Sequence, residues 1–311
     1  MNVFISREFD KYYAVSPITL VDIGARQGLQ RNWLPAEKHL IKIFVEPEQS
    51  GFKNLIENVD ERTTLLNVAL YKERRQIDFY VCRKPNVSSI YPPHKEFLDR
   101  FPRPERFDVV AINKVQAETL DGVLKSKGNL QSPSVDFIKI DTQGSELDII
   151  KGSTEVMHSG VIGFEVEVEF AEMYKGQPLF DDVHSVLREH GFDLIDFVRT
   201  VHWQKRQLFG KGQLIYADAL YFRNPDLFAQ EVSKLDSSAT KIRVLKYMSL
   251  CYLYKKFDRV QTLFEMFTEL FTDREKQLIT FAQRKSYLVY LIPSWISYIL
   301  NSSQMKGILP S

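Results

Sequence analysis

The chain has 311 residues, 44% of them hydrophobic and 26% charged, the profile of a globular protein with a sizeable core. Lys plus Arg number 41 and Asp plus Glu 40, so the net charge of +1 gives no basic footprint for nucleic acid, and no such partner is expected. Cys82 and Cys251 make neither a disulfide framework nor a four-thiolate centre, no His or Cys spacing suits zinc, and no metal is expected.

The opening stretch MNVFISREFDKYYAVSP is broken by charges and has no continuous apolar run, which argues against a secretory leader; a cytoplasmic location is expected. ITLVDIGA (Ile18 to Ala25) reads as a buried strand and LIKIFVEP (Leu40 to Pro47) as a second, with a short helix between them. In SGFKNLIENV the helical spacing puts Phe52, Leu55, Ile56 and Val59 on one face. TTLLNVAL (Thr63 to Leu70) is a third strand. RRQIDFYVCR alternates, with Ile77, Phe79 and Val81 on one side, and is expected to pair antiparallel with its predecessor across YKERR. SVDFIKID (Ser134 to Asp141) and VIGFEVEVEF (Val161 to Phe170) are further core strands. FDDVHSVLREHGF (Phe180 to Phe192) is a helix stopped by Gly191.

DLIDFVR and YADALYFR follow as two strands with no helix between them. That predicts a mostly parallel sheet, covered on both faces, with an antiparallel end. After Pro225 helical spacing takes over. Val244, Tyr247, Met248, Cys251 and Tyr252 form one stripe, and Val260, Leu263, Phe264 and Phe267 another. The expected division is therefore a domain over residues 1–225 and a helical extension over 226–311, read as a packing or homo-oligomerisation module. YLVYLIPSWISYIL (Tyr287 to Leu300) has 14 residues with Pro293 inside, too few to span a bilayer, so no stable membrane insertion is expected.

Chemistry gathers at strand ends. Asp22 closes the first strand, and Gly24 and Gly28 follow, as a sharp strand-to-helix turn requires; the spacing is not that of a dinucleotide fingerprint. Glu46 closes the second strand, where an acidic residue holds ribose hydroxyls in sheets of this kind. In FIKIDTQGSELDIIKG, Ser145 is placed to cap a helix whose first turn carries Glu146 and Asp148. Asp141 has no such structural explanation and faces the ligand crevice. Glu165, Glu167 and Glu169 alternate and so share one face of a strand that should be central. His94 and His202 are expected in loops, with Tyr91 and Trp203 available to stack on a flat acceptor such as a sugar; His184 is structural.

The blocks VDIGARQG, FVEPE, NVALY, TLDGVL, FIKIDTQGSELDIIKG and FEVEVEF occur in this order over about residues 18–225, and with them the chain resembles the FkbM family of S-adenosylmethionine-dependent methyltransferases. The resemblance implies a class I methyltransferase fold: α/β, Rossmann-like, with a mostly parallel seven-stranded sheet and an antiparallel last strand, here followed by an α-helical extension. It implies S-adenosyl-L-methionine as cofactor. Asp22, Gly24 and Gly28 look like the motif that holds its methionine end, Glu46 like the acid on the ribose, Asn67 and Ala69 like part of the adenine-side wall. Asp141 looks like the residue between cofactor and acceptor, with Glu167 and Glu169 as further catalytic candidates, and His94, Tyr91 and Trp203 as acceptor contacts. Two positions depart from the family pattern: Arg26 stands where many members have Asn, and Thr142 and Gln143 replace a frequent Val-Glu.

The expected activity is O-methylation of a sugar, glycan or secondary-metabolite hydroxyl, with a carboxylate or histidine as general base. Two other classes compete. A non-catalytic binding or scaffold protein on the same fold predicts partner binding without turnover. A nucleotide-cofactor oxidoreductase or epimerase predicts stabilisation by a nicotinamide dinucleotide, and the missing glycine fingerprint argues against it.

Overall fold

The structure is a computed structural model that describes residues 7–57, 59–126, 135–205 and 210–291. Residues 292–300 of the apolar stretch read above lie outside the described residues. In chain order the strands are β1 (Ile18–Ile23), β2 (Leu40–Val45), β3 (Thr63–Leu66), β4 (Ala69–Leu70), β5 (Arg75–Cys82), β6 (Val109–Glu118), β7 (Phe137–Ile140), β8 (Gly163–Glu169), β9 (Phe192–Trp203) and β10 (Gln213–Arg223). The helices are α1 (Arg7–Val15), α2 (Gln49–Ile56), α3 (Lys95–Leu98), α4 (Leu120–Ser126), α5 (Glu146–Lys151), α6 (Thr154–His158), α7 (Phe180–Glu189), α8 (Pro225–Val232), α9 (Ser237–Leu253), α10 (Phe257–Met266) and α11 (Asp273–Leu291). No helix among the described residues is long and apolar enough to cross a membrane.

Seven strands form one sheet in the order β3-β2-β1-β7-β8-β10-β9. β1, β2, β3, β7 and β8 are parallel, while β10 runs antiparallel to both neighbours. This is the class I methyltransferase arrangement, with the last strand inserted against the grain. The order reverses between β1 and β7, the switch point beyond whose carboxyl ends ligands bind in open sheets.

Residues alternate across a strand, and in-register residues on neighbouring strands share a face. One face of this sheet carries Val21, Ile23, Ile43, Val45, Ile138, Ile140, Phe164, Val166, Val168, Ala217 and Ala219, all buried in one apolar cluster with Leu147, Ile150, Val183 and Leu187 of the covering helices. Each such side chain contributes about 1.5–3 kcal/mol by leaving water, Ala excepted. The opposite face is apolar at its amino end, where Trp33 packs edge-on against Phe137 and Phe137 against Phe222. Towards the carboxyl end the same face turns ionic: Asp22, Lys139 and Glu165 sit in register on adjacent strands. The alternation of VEVE thus places valines in the core and glutamates at the site, all of them buried in a central strand.

Several sequence expectations are corrected here. β5 does not pair with the strand before it; it pairs antiparallel with β6, and β4 joins the far end of β6 in parallel. β6 escaped the sequence reading because residues 109–114 are exposed and lack the alternation of a half-buried strand. On α2 only Leu55 of the expected face is buried; Ile56 and Val59 are exposed, and Val59 lies beyond the end of α2 at Ile56. His202 lies within β9, not in a loop.

The chain divides into two compact units, residues 17–230 and residues 1–16 with 231–311. α1 therefore groups with the C-terminal helices. In the second unit Val244, Tyr247, Met248 and Cys251 are fully buried, as are Leu245, Ser249 and Leu250 on the other sides of α9. Tyr12 donates to Glu275 Oε1 (2.7 Å), Lys241 pairs with Oε2 (2.7 Å) and the Thr272 N–H donates to it (2.9 Å). Burial works to raise the Glu275 carboxyl, and these donors outweigh it, pulling it down to about 2. A single buried carboxylate thus ties α1, α9 and α11 together.

Candidate active site

The site is built from the carboxyl ends of β1, β2, β7 and β8. Gly24 follows β1 with φ +85°, and a Cβ there would lie 2.0 Å from the Asp141 carbonyl oxygen. No side chain fits, and the backbones after β1 and β7 are in direct contact because none is present. Gly28 closes the turn with φ +71°, its N–H donating to Ala25 O (2.7 Å).

Asp22 is buried and pairs with Lys139 at 3.2 Å, and Lys139 lies 3.9 Å from Asp141. Burial raises the Asp22 carboxyl, with the Lys139 charge opposing. Burial also works to lower the Lys139 ammonium, but Asp22, Asp141 and Glu165 outweigh it and hold it above its usual value. Lys139, unassigned from sequence, is thus the cation that allows two strand-end aspartates to stand side by side.

Glu46 ends β2, buried, with Oε1 accepting from the Glu48 N–H at 2.9 Å. Burial raises its carboxyl, and the Glu48 amide and Arg26 pull the other way. Arg26 is committed to Glu48 (3.2 Å) and Ser50 (3.1 Å). Glu48 caps α2 through the Ser50 and Gly51 amides. Asn67 donates to Glu46 O (2.8 Å) and Pro47 O (3.2 Å) and accepts from Gln49 (2.9 Å). It therefore braces the loop that presents Glu46. Ala69 stands beside it in β4, half-buried.

Beyond β7 four carboxylates converge: Asp141, Glu146, Glu167 and Glu169. Glu146, Glu167 and Glu169 are buried, while the Asp141 side chain is 35% exposed. Ser145 does not cap α5 through its side chain, as the sequence suggests; its hydroxyl donates to Thr142 Oγ1 (2.8 Å). Glu146 turns back instead, accepting from the Thr142 N–H (2.8 Å) and hydroxyl (3.0 Å). Burial pushes Glu146 up to about 7 against those bonds. Burial and the neighbouring acids raise Glu167 well above the usual carboxylate range, with Arg199 opposing at 3.3 Å. Glu169 is raised likewise by burial, Glu146 and Glu167, and its Oε1 is sealed from solvent with no partner. No group of His, Cys, Asp and Glu among the described residues could hold a metal ion.

Gln143, marked in the sequence only as a departure from the family pattern, has a structural role here. It adopts φ +62°, a left-handed conformation uncommon for a residue with a side chain. Its Nε2 donates to Glu167 Oε1 (2.8 Å), its Oε1 lies 3.2 Å from the Tyr174 hydroxyl, and its carbonyl accepts from Ser89 (2.6 Å). A carboxylate here would face Glu167 directly, so the neutral amide is the compatible group.

The Methyltransferase FkbM domain family matches residues 22–194, more than half of the chain. The chain belongs to the FkbM methyltransferase family. No curated protein matches it. Among solved structures it is similar to methyltransferase FkbM from Methylobacillus flagellatus KT, at 13% identity and a TM-score of 0.38 over 66% of this chain; the chain spans 43% of that structure's length. It is also similar to precorrin-6y C5,15-methyltransferase from Geobacter metallireducens GS-15, at 12% identity, TM-score 0.36, over 70% of this chain and 89% of that one. A third likeness is to magnesium protoporphyrin IX methyltransferase from Synechocystis PCC 6803 with bound S-adenosylmethionine, at 8% identity, TM-score 0.33, over 69% and 77%.

S-adenosylmethionine is the cofactor of this FkbM methyltransferase, and the residues present fit it. Gly24 lets the ends of β1 and β7 close on each other where a Cβ cannot stand, and Glu46 offers a buried carboxylate at the neighbouring strand end. The acceptor candidates are less uniform. Tyr91 donates its hydroxyl to Asp148 Oδ2 (2.6 Å), and Lys72 pairs with the other oxygen (3.3 Å), so Tyr91 fastens its segment to α5. His94 Nδ1 faces Glu172, 3.1 Å from its carbonyl and 3.3 Å from its carboxylate. Trp203 packs 5.3 Å from Phe101 and 6.1 Å from Phe107 in an aromatic cluster with Phe97, Met173 and Tyr174.

Proposed function

We propose that this FkbM methyltransferase transfers the methyl group of S-adenosylmethionine to a hydroxyl oxygen of a sugar, glycan or secondary-metabolite acceptor, with Asp141 receiving the hydroxyl proton. The observation that carries this reading is the asymmetry of the carboxylate cluster. Glu146, Glu167 and Glu169 are buried and held towards their protonated forms, whereas Asp141 keeps an exposed side chain at the strand end. A general base must come within hydrogen-bond reach of the proton it takes, which Asp141 alone of the four can do without rearrangement.

The bound cofactor supplies an already activated methyl group on a sulfonium sulfur. Asp22, Gly24 and Gly28 would hold its methionine end, Glu46 its ribose hydroxyls, and Asn67 and Ala69 its adenine side. Lys139 fixes Asp22 and Asp141 relative to each other, which supports in-line alignment of acceptor and donor. Glu167 and Glu169 stand at the site as buried acids held towards their neutral forms, and are not the proton acceptors.

Calorimetry with S-adenosylhomocysteine tests the cofactor half. Glu46→Gln is expected to weaken binding about 10–100-fold, the loss of a charged acceptor for ribose hydroxyls. No binding by the wild-type protein would sink the reading. Asp141→Asn is expected to keep that binding within about threefold and to lose about 10²–10⁴ in methyl transfer, read with a labelled methyl donor against a panel of glycans and phenols. Turnover equal to wild type would remove Asp141 as the base.

A further inference from the structure

The segment between β5 and β6 covers the carboxyl end of β8 and the amino end of β10. Phe97, Leu98, Phe101 and Phe107 pack with Ala171, Met173, Tyr174 and Ile215. His94 N–H donates to Met173 O and Lys175 N–H to Pro92 O, both at 2.8 Å. From Arg83 to Asp108 the sequence carries six Lys and Arg against four Asp and Glu. Arg83 pairs with Asp108 (3.3 Å) and Lys95 with Asp99 (2.9 Å). That leaves Lys84, Arg100, Arg103 and Arg106 against Glu96 and Glu105, and none of those four cations has a carboxylate partner among the described residues.

Arg106 is the telling one. It is half-buried, its guanidinium lies 4.6 Å from the Trp203 ring centre and 5.0 Å from that of Phe107, and its Nε is sealed from solvent with no acceptor. Taking a cation partly out of water without a counter-charge costs free energy, and a buried donor without an acceptor adds to it. The aromatic faces of Trp203 and Phe107 recover part of that cost. Arg100 lies over Phe97 (5.7 Å), Phe97 against Phe101 (5.3 Å), and Phe101 against Trp203 (5.3 Å). Lys84 joins Arg106 through its backbone N–H (3.0 Å), and Lys205 follows Trp203 in sequence. Arg100 and Arg106 thus flank one aromatic layer, with Lys84, Arg103 and Lys205 near them in the chain. Beneath that layer Phe107 contacts Tyr174 (6.0 Å), whose hydroxyl reaches Gln143 and so Glu167.

We propose that this group of cations binds an anionic group of the acceptor, a phosphate, sulfate or carboxylate borne by a glycan, so that the methylated hydroxyl belongs to an acidic saccharide. The proposal rests on the methyl-transfer reading and adds the acceptor's charge to it. Arg106 and Arg100 grip the oxyanion, with Arg103, Lys84 and Lys205 supplying the surrounding field.

The test uses the full chain with S-adenosylhomocysteine and two probes of equal length, a sulfated dextran oligomer and a neutral one. Calorimetry gives affinity, and the arginine Nε–H resonances give the location. The sulfated probe is expected to bind at least tenfold more tightly than the neutral one and to shift the Arg106 resonance. Arg100→Gln with Arg103→Gln, both exposed, and separately Arg106→Gln, are each expected to weaken it at least tenfold. Removing as many cations elsewhere, by Lys53→Ala with Arg74→Ala, should change it less than twofold. Equal loss in that control, an unmoved Arg106 signal, or tighter binding of a single-stranded RNA oligomer through the same residues would overturn the proposal. If the homocysteine binds and the sulfated probe does not, the anion-site proposal alone falls. If the homocysteine fails to bind, the methyl-transfer reading falls with it.

Discussion

Gly24→Ala is expected to abolish S-adenosylhomocysteine binding and to lower the melting temperature of the sheet domain. Two costs combine at this position. The backbone has φ +85°, where an L side chain costs about 1–2 kcal/mol. The added carbon would also lie 2.0 Å from the Asp141 carbonyl oxygen and 3.0 Å from its carbonyl carbon, backbone atoms that no rotamer change can move. Relief requires the ends of β1 and β7 to part, and overpacking of this kind adds about 1–3 kcal/mol. The Asp141 N–H bond to Ile23 O (3.0 Å) and the Gly24 N–H bond to Val45 O (2.9 Å) hold both strands in place and are strained first.

Gly176→Ala separates the two costs. Its φ is +75°, but nothing stands within 4 Å of the added carbon. It should lose about 1–2 kcal/mol and keep cofactor binding within about threefold, whereas Gly24→Ala should lose about 2–5 kcal/mol, or on the order of 4–20 °C, and at least about 100-fold in affinity. Thermal melts and calorimetry of both variants read the difference. Wild-type affinity in Gly24→Ala would mean that the turn does not hold the cofactor.

The sequence made the sheet legible where burial follows alternation. VEVE in β8 separates core from site, and the change from alternating to helical spacing near Pro225 marks the C-terminal helices. It hid whatever depends on pairing between distant segments. Lys139 has its partner Asp22 117 residues away, and Tyr91 reaches Asp148 across 57. Ser145 looked like a cap because the pattern of residue types is right, yet Thr142 and Glu146 satisfy one another first. For Gln143 the sequence shows only a neutral side chain where the family often has Glu; its left-handed backbone and its bridge from Tyr174 to Glu167 exist only once β7 and β8 are side by side. The aromatic layer was visible as scattered phenylalanines, and only the packing of Phe97, Phe101 and Phe107 on Trp203 makes it a surface.

The buried acids carry the second large effect, a stability that falls as pH rises. A glutamate in the unfolded chain ionises near pH 4.3. Glu146 in the folded protein holds its proton to about 7, and Glu167 and Glu169 are shifted in the same direction. Above about pH 4.3 the unfolded state has released protons that the native state still binds, so the unfolding free energy declines with pH at up to about 1.4 kcal/mol per pH unit for each such group. The contribution is fully present below the unfolded value and is lost as pH rises through the folded one.

Glu169 is the place to test this, because its Oε1 has no donor to lose and its neighbours Glu146 and Glu167 repel it when ionised. Glu169→Gln keeps the shape and removes the titration. At pH 8 the variant is expected to melt about 4–8 °C above wild type, and at pH 4.5 within about 2 °C of it, from a gain of about 2 kcal/mol. Melting curves for both proteins between pH 4.5 and 8.5 decide it: parallel curves, or a variant less stable at pH 8, would mean that Glu169 is ionised and paired in the native state. The wild-type protein carries this acid cluster at a cost in stability, which is the pattern of groups kept for function. A cationic ligand in the crevice should lower the proton affinity of the cluster, so S-adenosylmethionine is expected to release more protons on binding at pH 7 than neutral S-adenosylhomocysteine does. Calorimetry in two buffers of different ionisation enthalpy reads that difference, and equal release by the two ligands would place the sulfonium outside the field of Glu146, Glu167 and Glu169.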